Sequence, residues 1–236
     1  MGDDFSIDLN LKNLPPRSSA GKVGGALQSP GAEKLKKSVG DPPPKPLSLS
    51  VCPEQIQKAF SYGGILAVFK RKLNALTGEK YTLVPAQGDR VCIDDKGQVH
   101  IGLLFLDVYL NSHPVLAGVL AHEWGHFPTR RKLPNLDSLT WDEVYRLRRE
   151  EETKADMFCG RALVLLGYPV EPLLAYLKQS EDPKEKSQKY HTVQSRIRII
   201  VTTYRSQTAR NNMAENIKLD DAVYGDPIHL SKLIGS

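Results

Sequence analysis

The chain has 236 residues, 40% of them hydrophobic and 25% charged, with a formal net charge of +5. That length suffices for one well-buried domain and a tail, and the balance is that of a globular protein. The longest apolar stretches, Gly63 to Phe69 and Pro114 to Ala121, are far too short to cross a bilayer.

The opening Met1-Gly2-Asp3-Asp4-Phe5 is acidic and polar, without the basic and apolar regions of a secretory signal. A cytoplasmic location is expected, with export by a signal-peptide-independent route as the alternative. Basic residues cluster only briefly, at Lys34/Lys36/Lys37, Arg130/Arg131/Lys132 and Arg146/Arg148/Arg149, and read as solvated surface rather than a nucleic-acid footprint. Cys52, Cys92 and Cys159 are an odd, sparse set with no Cys-x-x-Cys pair, which argues against a disulfide framework or a zinc ribbon.

Residues 1–50 are punctuated by Pro15-Pro16, Ser18-Ser19, Gly24-Gly25 and Pro42-Pro43-Pro44, with few large apolar residues and no sustained period. They are expected to be a flexible segment serving as tail, pro-segment, secretion leader or docking arm. A folded domain over 51–206 follows, and 207–236 form a polar, loosely patterned extension. Pro53-Glu54-Gln55 opens a helix carrying Ile56, Phe60, Ile65, Leu66, Phe69 and Leu73, which Gly63-Gly64 interrupts. Short β-rich runs come next, at Tyr81–Val84, Arg90–Ile93 and Val99–Leu104, separated by the turn residues Gln87-Gly88-Asp89 and Asp95-Lys96-Gly97.

Asn111-Ser112 offers a cap and Pro114 a first turn for a helix running through His126 to Pro128. Its core face is Val115, Leu116, Val119, Leu120 and Trp124 or Phe127. A second long helix is expected from about Trp141 to Leu166, capped by Thr140 or Ser138 and closed by Gly167 and Pro169. Glu171 to Lys178 is a short helix, Ser180 to Ser187 a charged loop, and Tyr190 to Tyr204 a final helix.

Two of these helices carry the chemistry. His122 and His126, four apart, project from one face and can hold one metal ion together. Imidazole nitrogen suits zinc, which lowers the pKa of a water it holds to about 7, and Glu123, beside the first histidine, can take the proton. A catalytic zinc wants three protein ligands and one open position. Glu152, in Glu150-Glu151-Glu152-Thr153-Lys154-Ala155-Asp156, is the candidate third ligand. Asp156 lies one turn further along the same face, where it can orient His122 or His126 through the outer ring nitrogen. The plainer alternative for this acidic run is a solvated patch balanced by Arg146, Arg148 and Arg149.

Taken together, Ala121-His122-Glu123-Trp124-Gly125-His126 and Glu152-Thr153-Lys154-Ala155-Asp156 resemble the gluzincin metallopeptidases of the Ste/HtpX type. The likeness extends to Leu163 through Tyr168-Pro169 and to His191 with Ser195-Arg196-Ile197, so it covers roughly residues 80–205; it departs at Thr192, where proline is usual. The resemblance implies an α+β, zincin-like fold, a small mixed or antiparallel sheet packed on the two site helices. It implies one zinc per chain and a polypeptide substrate. It implies that Val99–Leu104 is an edge strand binding substrate through Gly102, Leu103 and Leu104. His191 or Arg196 would stabilise the oxyanion, with Tyr190 a weaker donor, and Arg196 would alternatively hold Glu152 or Asp156.

His100, His113 and His229 have no metal spacing and read as structural or exposed. Cys159 reads as core, and Cys52, at the junction of tail and domain, as an ordinary cysteine rather than a latency ligand for the metal. The expectation is therefore a zinc endopeptidase, with a metal-containing regulatory or binding module of little turnover as the alternative.

Overall fold

A computed structural model describes residues 42–127, 139–180 and 191–224. It is α+β and mostly helical, with one small mixed sheet. Two helices, α1 (Glu54–Phe60) and α2 (Ile65–Thr77), come first, and the expected break falls at Gly63-Gly64, with Gly64 capping α2. Three strands follow, β1 (Thr82–Ala86), β2 (Val91–Ile93) and β3 (Gln98–Gly102), then the short helix α3 (Leu103–Tyr109).

The sheet has the order β1-β3-β2. β3 runs parallel to β1 and antiparallel to β2. The turn between β2 and β3 is built by Asp94, whose Oδ1 accepts from the backbone N–H groups of Lys96 at 2.9 Å and Gln98 at 2.8 Å. Residues ahead of the helices cover the outer edge of β1: Leu47 N–H donates to Pro85 O at 2.8 Å, and Gln87 N–H to Lys45 O at 2.9 Å. β2 is thus the open edge among the described residues.

This corrects one expectation about the site. Gly102, Leu103 and Leu104 are not an exposed edge that could receive substrate. β3 is the middle strand, Gly102 caps α3, and Leu103 and Leu104 form the first turn of that helix. The Gly102 and Leu104 N–H groups are already committed, to Arg90 O and Gly88 O at 2.9 Å each.

Helix α4 (His113–Gly125) crosses the centre, with Pro114 in its first turn. It packs against α2, β2 and two later helices, α5 (Trp141–Leu166) and α6 (Glu171–Gln179). Because neighbours surround it, its buried surface is wider than the expected face: Ala117, Gly118 and Ala121 are buried with Val115, Leu116, Leu120 and Trp124, while Val119 is only partly so. Each large side chain buried there stabilises the fold by about 1.5–3 kcal/mol. Trp124 also donates through Nε1 to Asn74 Oδ1 at 3.0 Å. The same amide holds both backbone groups of Tyr81 at 3.1 Å. One side chain therefore ties α2, the entry to β1 and the motif helix together.

Helix α5 starts at Thr140, whose hydroxyl and backbone exchange hydrogen bonds with Glu143 in a capping box, and it ends at Gly167 in the left-handed conformation. The last helix, α7 (Val193–Tyr224), lies along α5. Their approach is close at Gly160, where a Cβ would sit 2.4 Å from Ile200 O.

The expected domain limits shift accordingly. Residues 45–47 already belong to the sheet edge, and the limit at 206 falls inside α7, which continues to Tyr224. Pro128, Ser138, the loop from Ser180 to Ser187 beyond its first residue, Tyr190 and His229 lie outside the described residues. No helix among the described residues is long and apolar enough to cross a membrane.

Candidate metal centre

His122 sits in the last turn of α4 and His126 caps its C-terminus, with ring centroids 4.9 Å apart and planes at 86°. The chain stops being helical at once: Phe127 adopts φ 45°, a conformation costly for a bulky residue, with its ring against Phe158 of α5 at 5.5 Å. His122, Glu123 and His126 each bring a donor atom within 4.8 Å of the other two, a group that could hold a metal ion.

Helix α5 completes the centre. At Gly125 a Cβ would lie 2.7 Å from Ala155 Cα, so glycine is what lets α4 and α5 approach this closely. Ala155 is flanked in the sequence by the two turns that matter. Glu152, almost fully buried, directs Oε2 to 3.4 Å from His122 Nε2 and Oε1 to 3.9 Å from His126 Nε2. Both histidines thus aim Nε2 at one carboxylate.

The outer face of His122 is equally determined. Asp156, fully buried, places Oδ1 2.9 Å from His122 Nδ1. Nδ1 therefore carries a hydrogen, and Nε2, facing Glu152, is the nitrogen that offers a lone pair once its own proton is lost. Arg196 from α7 grips the same carboxylate, Nε to Oδ2 at 3.0 Å and Nη2 to Oδ1 at 2.8 Å. Of the two roles foreseen for Arg196, the geometry gives the clamp on Asp156.

His191 also reaches α5. Its Nε2 lies 2.8 Å from Thr153 Oγ1 and 3.1 Å from Arg149 O. The Thr153 hydroxyl donates to Arg149 O at 2.9 Å, so Nε2–H of His191 is the donor to this pair. That hydrogen is spent on α5, one residue along from Glu152, and not on the space before the histidines.

Two contacts were absent from the sequence reading. Ile93 of β2 donates its backbone N–H to Glu123 Oε2 at 3.0 Å. A backbone amide has no residue type to betray it. Arg148, read as surface charge, is mostly buried, with Nη2 3.0 Å from Glu152 Oε1 and Nη1 3.2 Å from Glu151 Oε2. Its four-residue spacing from Glu152 was the available clue.

The electrostatics follow from this packing. Burial and the Arg196 charge push the His122 pKa down, but Asp156 and Glu152 outweigh them and hold it up at about 9. Burial works to raise the Glu152 carboxyl, yet His122, His126 and Arg148 hold it far below the usual carboxylate range. Glu123 is raised, by burial first and by the Glu152 charge, against the pull of His122 and the Ile93 amide.

Comparison of the chain with known protein families, curated proteins and solved structures finds no match. The case for function rests on this geometry.

The donor set fits a metal ion. Two imidazoles present Nε2, one has its tautomer fixed by a buried carboxylate, and a second carboxylate faces both. Of the two glutamates, Glu152 meets both Nε2 atoms, while Glu123 forms the group with the two histidines and is anchored on β2. The remaining candidates lie elsewhere. His100 is buried against Asp94 at 3.2 Å, and His113 packs edge-on to Phe69. Cys52 is buried with its thiol toward Ser48 O, and its pKa is raised by burial, which suits a core residue. Cys159 is buried too, its thiol donating to Gly118 O at 3.2 Å.

Proposed function

We propose that the chain is a zinc-dependent endopeptidase of the gluzincin kind, with a zincin-like arrangement of sheet and site helices, acting in the cytoplasm. The observation that carries this reading is the convergence of His122 Nε2 and His126 Nε2 on Glu152, with Glu123 alongside and anchored separately. Two nitrogens and one carboxylate oxygen are the ligand chemistry of catalytic zinc. Zinc held there supplies Lewis acidity, which polarises a scissile carbonyl and acidifies a water.

The protein side chains do the rest. Glu123 is the general base: with Oε2 fixed by Ile93, its other oxygen takes a proton from the attacking water and returns it to the leaving amine. Burial raises its pKa above the usual carboxylate value, the direction that makes it a better proton acceptor. Asp156 and Arg196 hold His122 in register, and Arg148 pairs with Glu152. A polypeptide substrate would align on the outer edge of β2, beside Glu123, by backbone hydrogen bonds.

Metal analysis combined with digestion tests the reading. Purified protein is expected to hold one zinc per chain and to cleave a casein-like substrate, with cleavage lost to a chelator and restored by zinc. Protein that takes up no zinc, or that cleaves equally well after chelation, overturns it.

A further inference from the structure

Glu152 brings two oxygens to the metal centre, and their surroundings differ. Oε2 lies 3.4 Å from His122 Nε2, while Oε1 lies 3.9 Å from His126 Nε2. Two atoms held by one tetrahedral zinc at about 2.0–2.1 Å sit about 3.3 Å apart. Oε2 already has that spacing from its histidine, and Oε1 does not. Oε1 has another partner: Arg148, one turn back on α5, brings Nη2 to 3.0 Å from it.

The arginine is itself held in place. Its Nη1 reaches Glu151 Oε2 at 3.2 Å, so one planar guanidinium spans the carboxylates of two consecutive residues. The Arg148 and Glu152 side chains are 11% and 6% exposed, against 59% and 49% for Arg146 and Glu150 on the same helix. An exposed pair like the second is screened and loosely held. The buried pair fixes the orientation of its carboxylate.

We propose that Arg148 is a positioning residue that makes Glu152 a one-oxygen ligand: with Oε1 held on Nη2, only Oε2 is offered to an ion. This role rests on Glu152 being the third ligand and does not need the peptidase. Its consequence does. A carboxylate bound through both oxygens would crowd the position that a catalytic zinc keeps for water, and holding Oε1 back keeps that position open.

Cobalt(II) tests this, because it accepts the ligands of zinc and its visible absorption reports its coordination number. The full chain, Arg148→Met and the control Arg146→Met are each loaded with cobalt. Arg148→Met keeps an apolar stem of similar reach and removes the donors. The parent and Arg146→Met are expected to show the strong bands of four-coordinate cobalt, and Arg148→Met the several-fold weaker bands of a higher coordination number. Weak bands in the parent overturn the role, whether or not the variant folds. Equal spectra of the parent and Arg148→Met overturn it too. A parent that takes up no cobalt removes the metal centre and this role with it. Peptide hydrolysis by the zinc-loaded proteins is read alongside. The expected spectra without any hydrolysis leave the role of Arg148 standing and remove the peptidase; hydrolysis with equal spectra does the reverse.

Discussion

Asp156 Oδ1 lies 2.9 Å from His122 Nδ1, at full burial, with Arg196 closing on the same carboxylate from α7. One carboxylate therefore links three helices to the tautomer of one ring. Asp156→Asn keeps the shape and removes the charge. It is expected to weaken zinc binding by about 10–100-fold, measured by competition with a chelating indicator. Unchanged affinity would remove Asp156 from any role in orienting His122.

Arg196 acts through Asp156, so the two substitutions should couple. Arg196→Gln leaves a buried carboxylate with only His122 for a partner, at a cost of about 1–3 kcal/mol. In a double-mutant cycle, Arg196→Gln with Asp156→Asn should cost less than the two single changes added together. Denaturant unfolding of the four proteins measures it, and strict additivity would mean that the clamp carries no energy.

The pH behaviour of the zinc-free protein follows from His122 and Glu152. The His122 pKa is raised from 6.5 to about 9, so its contribution to stability is complete below about pH 6.5 and is lost as pH rises through about 9. Glu152 is lowered from 4.5, so its contribution is present above about 4.5 and is lost as pH falls further. These two groups together favour the fold most between those limits. Zinc must also displace the His122 proton, so uptake at pH 7.5 should release about one proton per chain. Calorimetry in buffers of different ionisation enthalpy checks this, and uptake without proton release would contradict it.

Gly125 is where α4 and α5 touch. A methyl group there would meet Ala155 Cα at 2.7 Å, whereas at Gly63 it would meet nothing within 4 Å. Gly125→Ala should destabilise by about 1–3 kcal/mol and weaken zinc binding by moving Glu152 away from the histidines. Gly63→Ala should do neither. Thermal unfolding and zinc titration of the pair separate a local packing effect from a general intolerance of alanine.

Local signals made most of the helices and the ligand spacing readable. The Ser112/Pro114 start, the Thr140–Glu143 cap and the Gly167 stop put α4 and α5 where the sequence reading had them. The four-residue step from Glu152 to Asp156 is what puts both on the face toward His122. The strand order was not readable. Parallel pairing of β1 with β3 is non-local, so the pattern of Val99–Leu104 could not say that this run lies in the middle of the sheet and turns helical at Leu103. The length of α7 was also hidden. Beyond Ile200 no residue with a described side chain is buried, so no apolar period marks the helix. Arg148 looked like surface charge because burial of a basic residue depends on what packs over it.

Glu123→Gln, assayed for hydrolysis and zinc content together, tests the central claim most directly. The substitution keeps a side chain able to accept from the Ile93 N–H but removes the group that takes the proton. Zinc should stay at one per chain while kcat falls by about 100-fold or more. Hydrolysis that continues at the parent rate with zinc retained would contradict the assignment of Glu123 as the base, and with it the peptidase mechanism proposed for this centre.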